Sequence, residues 1–238
     1  LRRRPRTCPR HRTVHGPVIT QVAGRVDAVV SLKWYATTGL DLNDRTMAGM
    51  MALNRAHSVK EAFDAGRNFR AIGQNLLVAD VDGNIGWHAT GAVPERRGYS
   101  GRLPADGTGT GADWIGVMPY EQMPTLYNPE AGFIATANQR STPDDAQNPI
   151  SFGWCSPYRY QRITERLENM SVPTFEQFAA LHADVYAKQA DNMIPKLLRY
   201  KFDDAKATQA LSILESWDRE MTRESVGSGV FNVFFSAL

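Results

Sequence analysis

Apolar and polar positions change rhythm three times along this chain. Residues 13–38 scatter β-branched side chains among Gly and Pro, with Thr13, Val14, Val18 and Ile19 in one run and Val26, Val29 and Val30 in another. That mixture predicts extended segments. From Thr46 to Asn54, Met47, Met50, Met51 and Leu53 recur at helical spacing. A second helix is predicted after Ser58, because Glu61 stands three residues on. In such a capping box the two residues satisfy each other's backbone N–H groups.

The clearest local element is a hairpin. Residues 75–81 lead into Asp82–Gly83, and residues 84–91 lead away. Asp-Gly predicts a tight type I′ turn. Asp80, Asp82 and Asn84 look like the opening of a calcium loop, but the glycine is out of place and position twelve is Gly91 rather than Glu. Residues 92–132 gather Gly and Pro with Tyr99, Trp114, Tyr120 and Tyr127. So aromatic a loop region predicts pocket walls rather than a linker. A strand is predicted over Gly132–Asn138 and a helix over Pro157–Asn169. Beyond Pro173 the pattern is helical almost throughout. Thr174 and Gln177 form another capping box, with Phe175, Phe178, Leu181, His182 and Val185 near one face. His182 reads as the edge of a core. Met193, Ile194, Leu197 and Leu198 mark a second helix, and Leu211, Ile213, Leu214 and Trp217 a third. The fold class is therefore α+β, with antiparallel strands over residues 13–138 and a helical C-terminal third.

Charge adds one feature. Six of the 27 basic residues are arginines within the first twelve positions; the remaining 21 face 25 acidic residues, so the rest of the chain carries about −4. Residues 1–11 are thus expected to be a basic, disordered arm and residues 12–238 the folded domain. Nothing beyond the arm resembles a nucleic-acid module, and no nucleic acid is expected as a partner. No apolar run is long enough to span a bilayer. Of the two cysteines, Cys8 lies in the arm, so pairing with Cys155 is left open. No C-x-x-C suggests zinc. His11 and His15 have i, i+4 spacing, but Gly16–Pro17 breaks any helix there.

Several strings resemble the penicillin acylase (penicillin amidase) family. They are Arg12–Pro17, Ala79–Gly86, Gly91–Pro94 with Leu103–Pro104, Trp114–Pro119, Tyr127–Pro129, Gly132–Asn138 and Pro157–Ile163. Each is weak alone; in one order at compatible spacings they are specific, and they cover roughly residues 12–217. The resemblance implies part of a four-layer αββα sandwich of the N-terminal-nucleophile hydrolase class. Such enzymes are cut from a precursor into α and β chains. The new N-terminal serine attacks an amide, with its own α-amine as base. The resemblance further implies a chain that starts about a hundred residues into the β chain and stops before its end. The partners would be the α chain, the rest of the β chain and a small N-acyl substrate, in the periplasm or outside the cell, without a membrane.

The family's nucleophile is followed by Asn, and no Ser-Asn pair occurs here. No G-x-S-x-G elbow replaces it. Two functional positions are implied within the chain. Asn138 matches the asparagine whose side-chain amide donates to the oxyanion, a neutral donor needing no change of protonation. Read without the family, Asn138 is a strand-end residue bonding local backbone. Arg162 matches the arginine that orients the site. Its plain alternative is a helix arginine paired with Glu165, and Arg159, one turn earlier, competes for the assignment. No cofactor is required for the chemistry. A structural calcium ion is implied by the family; its ligands are not placed, though Asp144 and Asp145 are carboxylates in the right loop. The implied function is hydrolysis of N-acyl amides, such as β-lactam side chains or N-acyl homoserine lactones. The competing expectation is a non-catalytic binding module built on the aromatic loops.

Overall fold

The computed structural model describes residues 11–22, 27–38, 44–143 and 150–237. Most of the basic arm, Cys8, Asp144 and Asp145 lie outside them. The chain divides into two compact units. The first comprises residues 1–134 and 141–152, the second residues 135–140 and 153–238.

The first unit opens with β1 (Arg12–Thr13) and β2 (Gly16–Pro17), an antiparallel pair only two residues long. A single antiparallel bridge joins Val18 to Ser31. Among the described residues of 13–38, which leave out Val26, the extended reading therefore yields little regular strand, and it ends in a short helix, α1 (Tyr35–Thr38). Helix α2 (Thr46–Leu53) forms as expected, but the opposite face is buried. Met47 and Met51 are exposed, while Thr46 and Gly49 are buried. Gly49 is where the helix meets Phe69: a Cβ there would lie 2.8 Å from the Phe69 ring.

Helix α3 (Val59–Gly66) begins where the capping signal placed it. Ser58 Oγ accepts from Glu61 N–H, while the Glu61 carboxylate turns back one residue further than expected, to His57 N–H at 2.7 Å. Its buried stripe is Val59, Ala62 and Ala65. The stripe packs on a hairpin of β3 (Asn75–Ala79) and β4 (Ile85–Ala89), paired antiparallel in full register. The turn is not the two-residue type I′ turn. Gly83 has φ +85°, and Asp82 is not among the positive-φ residues. Instead the Asp80 carboxylate gathers the N–H groups of Asp82 and Asn84 and the Asn84 amide, closing a wider loop.

Strands β5 (Pro94–Arg96) and β6 (Trp114–Val117) pair with each other through a bulge. Strand β7 (Thr125–Tyr127) joins β4, giving the order β3-β4-β7. Central β4 is buried on both faces. Gly86 and His88 face α3, and Trp87 and Ala89 pack with Met123, Val93, Met118, Ile134 and Ile150. Residues 132–138, predicted as a strand, join no ladder. All strand pairs among the described residues are antiparallel.

The second unit is helical: α4 (Tyr158–Glu168), α5 (Phe175–His182), α6 (Ala190–Leu197), α7 (Ala205–Ser216) and α8 (Val226–Ser236). Its core is Ala187, Ala190, Ile194, Leu214, Trp217 and Phe231. Trp217 lies flat against Gly227, where a Cβ would come within 2.3 Å of the indole. Helix α5 carries the predicted reciprocal capping box, but buries none of its residues, and His182 is exposed rather than at a core edge.

Candidate active site

Asn138 sits in the second unit at a sharp bend. Its φ is +61°, in the left-handed region. Asn is one of the few side-chain-bearing residues that tolerate that geometry. Its carbonyl accepts from Cys155 N–H at 2.9 Å, which ties the bend to the segment leading into α4. The neighbouring Ala137 N–H donates to Gln139 Oε1 at 2.7 Å.

One guanidinium closes the bend. Arg159 Nη2 donates to Ala137 O at 2.7 Å and to Asn138 Oδ1 at 3.0 Å. A guanidinium has only donors, so the atom it meets on the Asn138 amide must be the oxygen. The Asn138 NH₂ is thereby turned away from Arg159, on an exposed side chain. It is held as a donor with no acceptor among the described residues.

Arg162 is not a partner of Asn138. Its Nε lies 3.1 Å from both oxygens of Asp184, and its Nη2 donates to Asp184 Oδ2 at 2.8 Å. A further bond runs from Nη1 to Glu165 at 3.3 Å, and the guanidinium plane sits 4.4 Å from the Tyr186 ring centroid. The hydrogen bonds it donates to Asp184 hold the guanidinium protonated more firmly than usual, against the cost of its burial. Burial alone would raise the Asp184 carboxyl. Hydrogen bonds from Arg162 and from Tyr186 N–H outweigh it, and the group sits below the ordinary carboxylate range.

The pair belongs to a lattice. Arg166 approaches Asp184 at 3.7 Å. Lys188 bridges Glu165 at 2.8 Å and Asp191 at 3.1 Å. Arg219 reaches Asp191 at 3.2 Å, and Tyr186 Oη donates to Asp191 at 2.7 Å. Hydrogen bonding to Lys188 depresses Glu165, and burial of Asp191 is overcome by Tyr186 and Lys188.

Of the two arginines that compete for the family position, Arg159 meets Asn138 and Arg162 is paired with Asp184 and Glu165. Arg159, Arg162 and Arg166 stand at i, i+3 and i+7 on one stripe of α4. Spacing alone does not say which of them faces Asn138. His15 is buried, with Nε2 bonded to Gly107 O at 3.0 Å. Among the described residues no three His, Cys, Asp or Glu side chains gather to hold a metal ion. The calcium expectation falls on Asp144 and Asp145, outside those residues. Among the described residues no helix is long and apolar enough to cross a membrane.

The model of a family described as penicillin amidase matches residues 2–238. The penicillin acylase 2 proenzyme of Pseudomonas sp. (strain SE83) is 32% identical over 230 residues, covering 95% of this chain and 29% of that protein. An acyl-homoserine lactone acylase, QuiP, of Pseudomonas syringae pv. syringae (strain B728a) is 30% identical over 210 residues, covering 81% and 25%. Among solved structures, a thermostable penicillin G acylase from Alcaligenes faecalis superposes with a TM-score of 0.68 at 24% identity, over 89% of this chain and 38% of that one. That last likeness is one of fold. The chain spans between a quarter and three tenths of the two curated relatives' length.

Proposed function

The chain belongs to the penicillin amidase family, and from that premise we propose that the protein it comes from is an N-terminal-nucleophile amidohydrolase. Its serine, outside this chain, attacks the carbonyl of an N-acyl substrate and passes its proton to its own α-amine. The carbonyl oxygen becomes an oxyanion. Asn138 Nδ2 donates to it, the C–N bond breaks, the amine leaves with the proton, and water releases the acid. The names of the relatives support a penicillin or an acyl-homoserine lactone as the class of substrate; an exported enzyme assembled with an α chain is part of the same proposal.

The observation that carries this reading is the Arg159–Asn138 hydrogen bond. An oxyanion donor must be fixed before the charge develops, because reorganising it during reaction costs what it would supply. Arg159 fixes the amide oxygen and leaves the N–H₂ to donate. A cationic neighbour also makes that amide a better donor. Arg162 contributes at one remove, by holding the helix that carries Arg159.

Two measurements test the reading. The DNA encoding the chain should contain, upstream in frame, a serine followed by Asn at a precursor cleavage point; a stop codon or unrelated domain there would favour the binding-module alternative. The 238-residue chain alone, given a chromogenic phenylacetyl anilide, should release no product. A burst followed by turnover would show a nucleophile within the chain and end the proposal.

A further inference from the structure

We infer that Asp184 is a positioning residue for the Asn138 amide: it holds α4 by two arginines, and through that helix sets where Arg159 meets Asn138. The inference rests on the reading of Asn138 as the oxyanion donor.

The argument starts from what does not hold α4. None of its residues is fully buried. Apolar packing, which fixes most helices in place, restrains this one weakly. Its three arginines, Arg159, Arg162 and Arg166, form a single stripe at i, i+3 and i+7. One end of the stripe, Arg159, closes the bend at Ala137 and Asn138. The rest of it is claimed by one carboxylate. The Asp184 side chain is 10% exposed. Its Oδ2 takes Arg162 Nη2 at 2.8 Å and stands 3.7 Å from Arg166 Nε. Its Oδ1 is itself pinned by Tyr186 N–H at 3.1 Å. The carboxylate therefore cannot swing to follow the helix; the helix must follow it.

The geometry is also directional. Arg162 meets Asp184 through two nitrogens, a fork that fixes orientation as well as distance. The distance between Arg162 and Arg159 is one helical turn, about 5 Å along the axis. A shift or roll of α4 at the Asp184 end therefore arrives undiminished at Arg159 Nη2. Removing the charge on Asp184 does two things. It releases the fork, and it leaves Arg162 and Arg166 repelling one another on the stripe, with Glu165 the remaining acid at Arg162. Both effects move Arg159 off Asn138 Oδ1 and free the amide to rotate.

A purely structural role predicts a different result, and a double-mutant cycle in the full-length enzyme separates the two. Asp184→Asn keeps the shape and removes the charge. We expect kcat to fall about 10–100-fold, as for a displacement of about an ångström at a reacting centre, with KM changed less than about threefold. In an Asn138→Ala background, where there is no amide left to position, the same substitution should change kcat by less than about threefold. Equal losses in both backgrounds, or a loss confined to KM, would overturn the inference and leave Asp184 a stability residue. No loss from Asp184→Asn, with Asn138→Ala still costly, would overturn it while sparing the reading of Asn138. A harmless Asn138→Ala would remove both. Should Asp184→Asn not fold, Asp184→Glu keeps the charge and moves the carboxylate out by one methylene. It should lower kcat about tenfold, again only while Asn138 is present, and an additive effect would count against the inference.

Discussion

Helix α3 and helix α4 are held by different forces. Helix α3 sits on the hairpin through Val59, Ala62 and Ala65, and Gly86 makes room for it: a Cβ there would lie 2.4 Å from Val59 Cγ1 and 2.6 Å from the Phe63 ring. An aromatic stack secures the seat. His88 lies parallel to Tyr120 at 4.0 Å and edge-on to Phe63 at 5.2 Å, and Tyr120 Oη donates to Phe63 O. Arg67 covers the same Tyr120 ring and pairs with Glu121. Helix α4 buries no residue and is held by Asp184, Glu165 and their cations. Apolar seating tolerates small displacements in any direction, because dispersion is non-directional. A forked ion pair does not. The helix that carries Arg159 is the one fixed by the directional force, which fits the proposal that it aims a single hydrogen bond at Asn138.

The largest effect expected on this comparison is at the end of α4's chain of contacts. Asn138→Ala in the full-length enzyme should lower kcat by about two to three orders of magnitude with folding intact. An unchanged turnover number would remove Asn138 from the site, and with it any need for a precisely aimed helix. On the α3 side the matching change is Gly86→Ala. Inserting a methyl between strand and helix should lower stability by about 1–3 kcal/mol in denaturant titrations. A neutral result would mean that α3 is not seated on β4.

Acid should distinguish the two helices in sequence. Burial lowers the His88 pKa from its ordinary 6.5, with the Ala89 carbonyl opposing and Arg67 adding to the fall. The neutral ring is the folded form. Its contribution is therefore present above pH 6.5 and lost as pH falls below that value. Asp184 and Glu165 are held below their ordinary 3.8 and 4.5, so the α4 lattice keeps its full contribution above pH 4.5 and loses it only as pH falls further. Amide exchange followed from pH 7 to pH 3 should show protection decline around α3 first and around α4 later. The reverse order would contradict the assignment of forces. The smallest effect is at a cap. Thr174→Ala should cost about 1 kcal/mol, because it removes one half of the reciprocal box that starts α5. Helix α5 has no buried residue to compensate, so exchange protection should drop over that helix alone; an unchanged profile would mean the box adds nothing.

Local signals were legible wherever a residue's partner is near in the chain. Thr174 and Gln177 predicted a box that forms, and Ser58 with Glu61 predicted the start of α3 to the residue. The Asp82–Gly83 signal gave the hairpin but not its register: a two-residue turn there would pair Asp80 with Ile85, whereas Ala79 pairs with Ile85. What failed was each inference that needed a neighbour from afar. Met47 and Met51 look like a core face, yet Gly49 on the opposite side meets Phe69. Residues 132–138 have strand composition, but among the described residues no second strand pairs with them. The type I′ turn lost to Asp80, whose carboxylate offers the loop more hydrogen bonds than a two-residue turn does.

The candidate asparagine, Asn138, shows where the division falls. Family resemblance alone singles out Asn138; read without it, the residue is a strand-end asparagine. Which arginine meets it is not written in the chain. Arg159 and Arg162 are one turn apart on one stripe, equal in charge and reach, and either could face the amide. The choice was made by Asp184, 22 residues beyond Arg162, through the bidentate pairing that claims Arg162. Sequence determines which groups are available at short range, since local hydrogen bonds and helical periodicity depend only on neighbours. The tertiary structure alone decides which of two equivalent groups is used, because that depends on where a third, distant charge comes to rest.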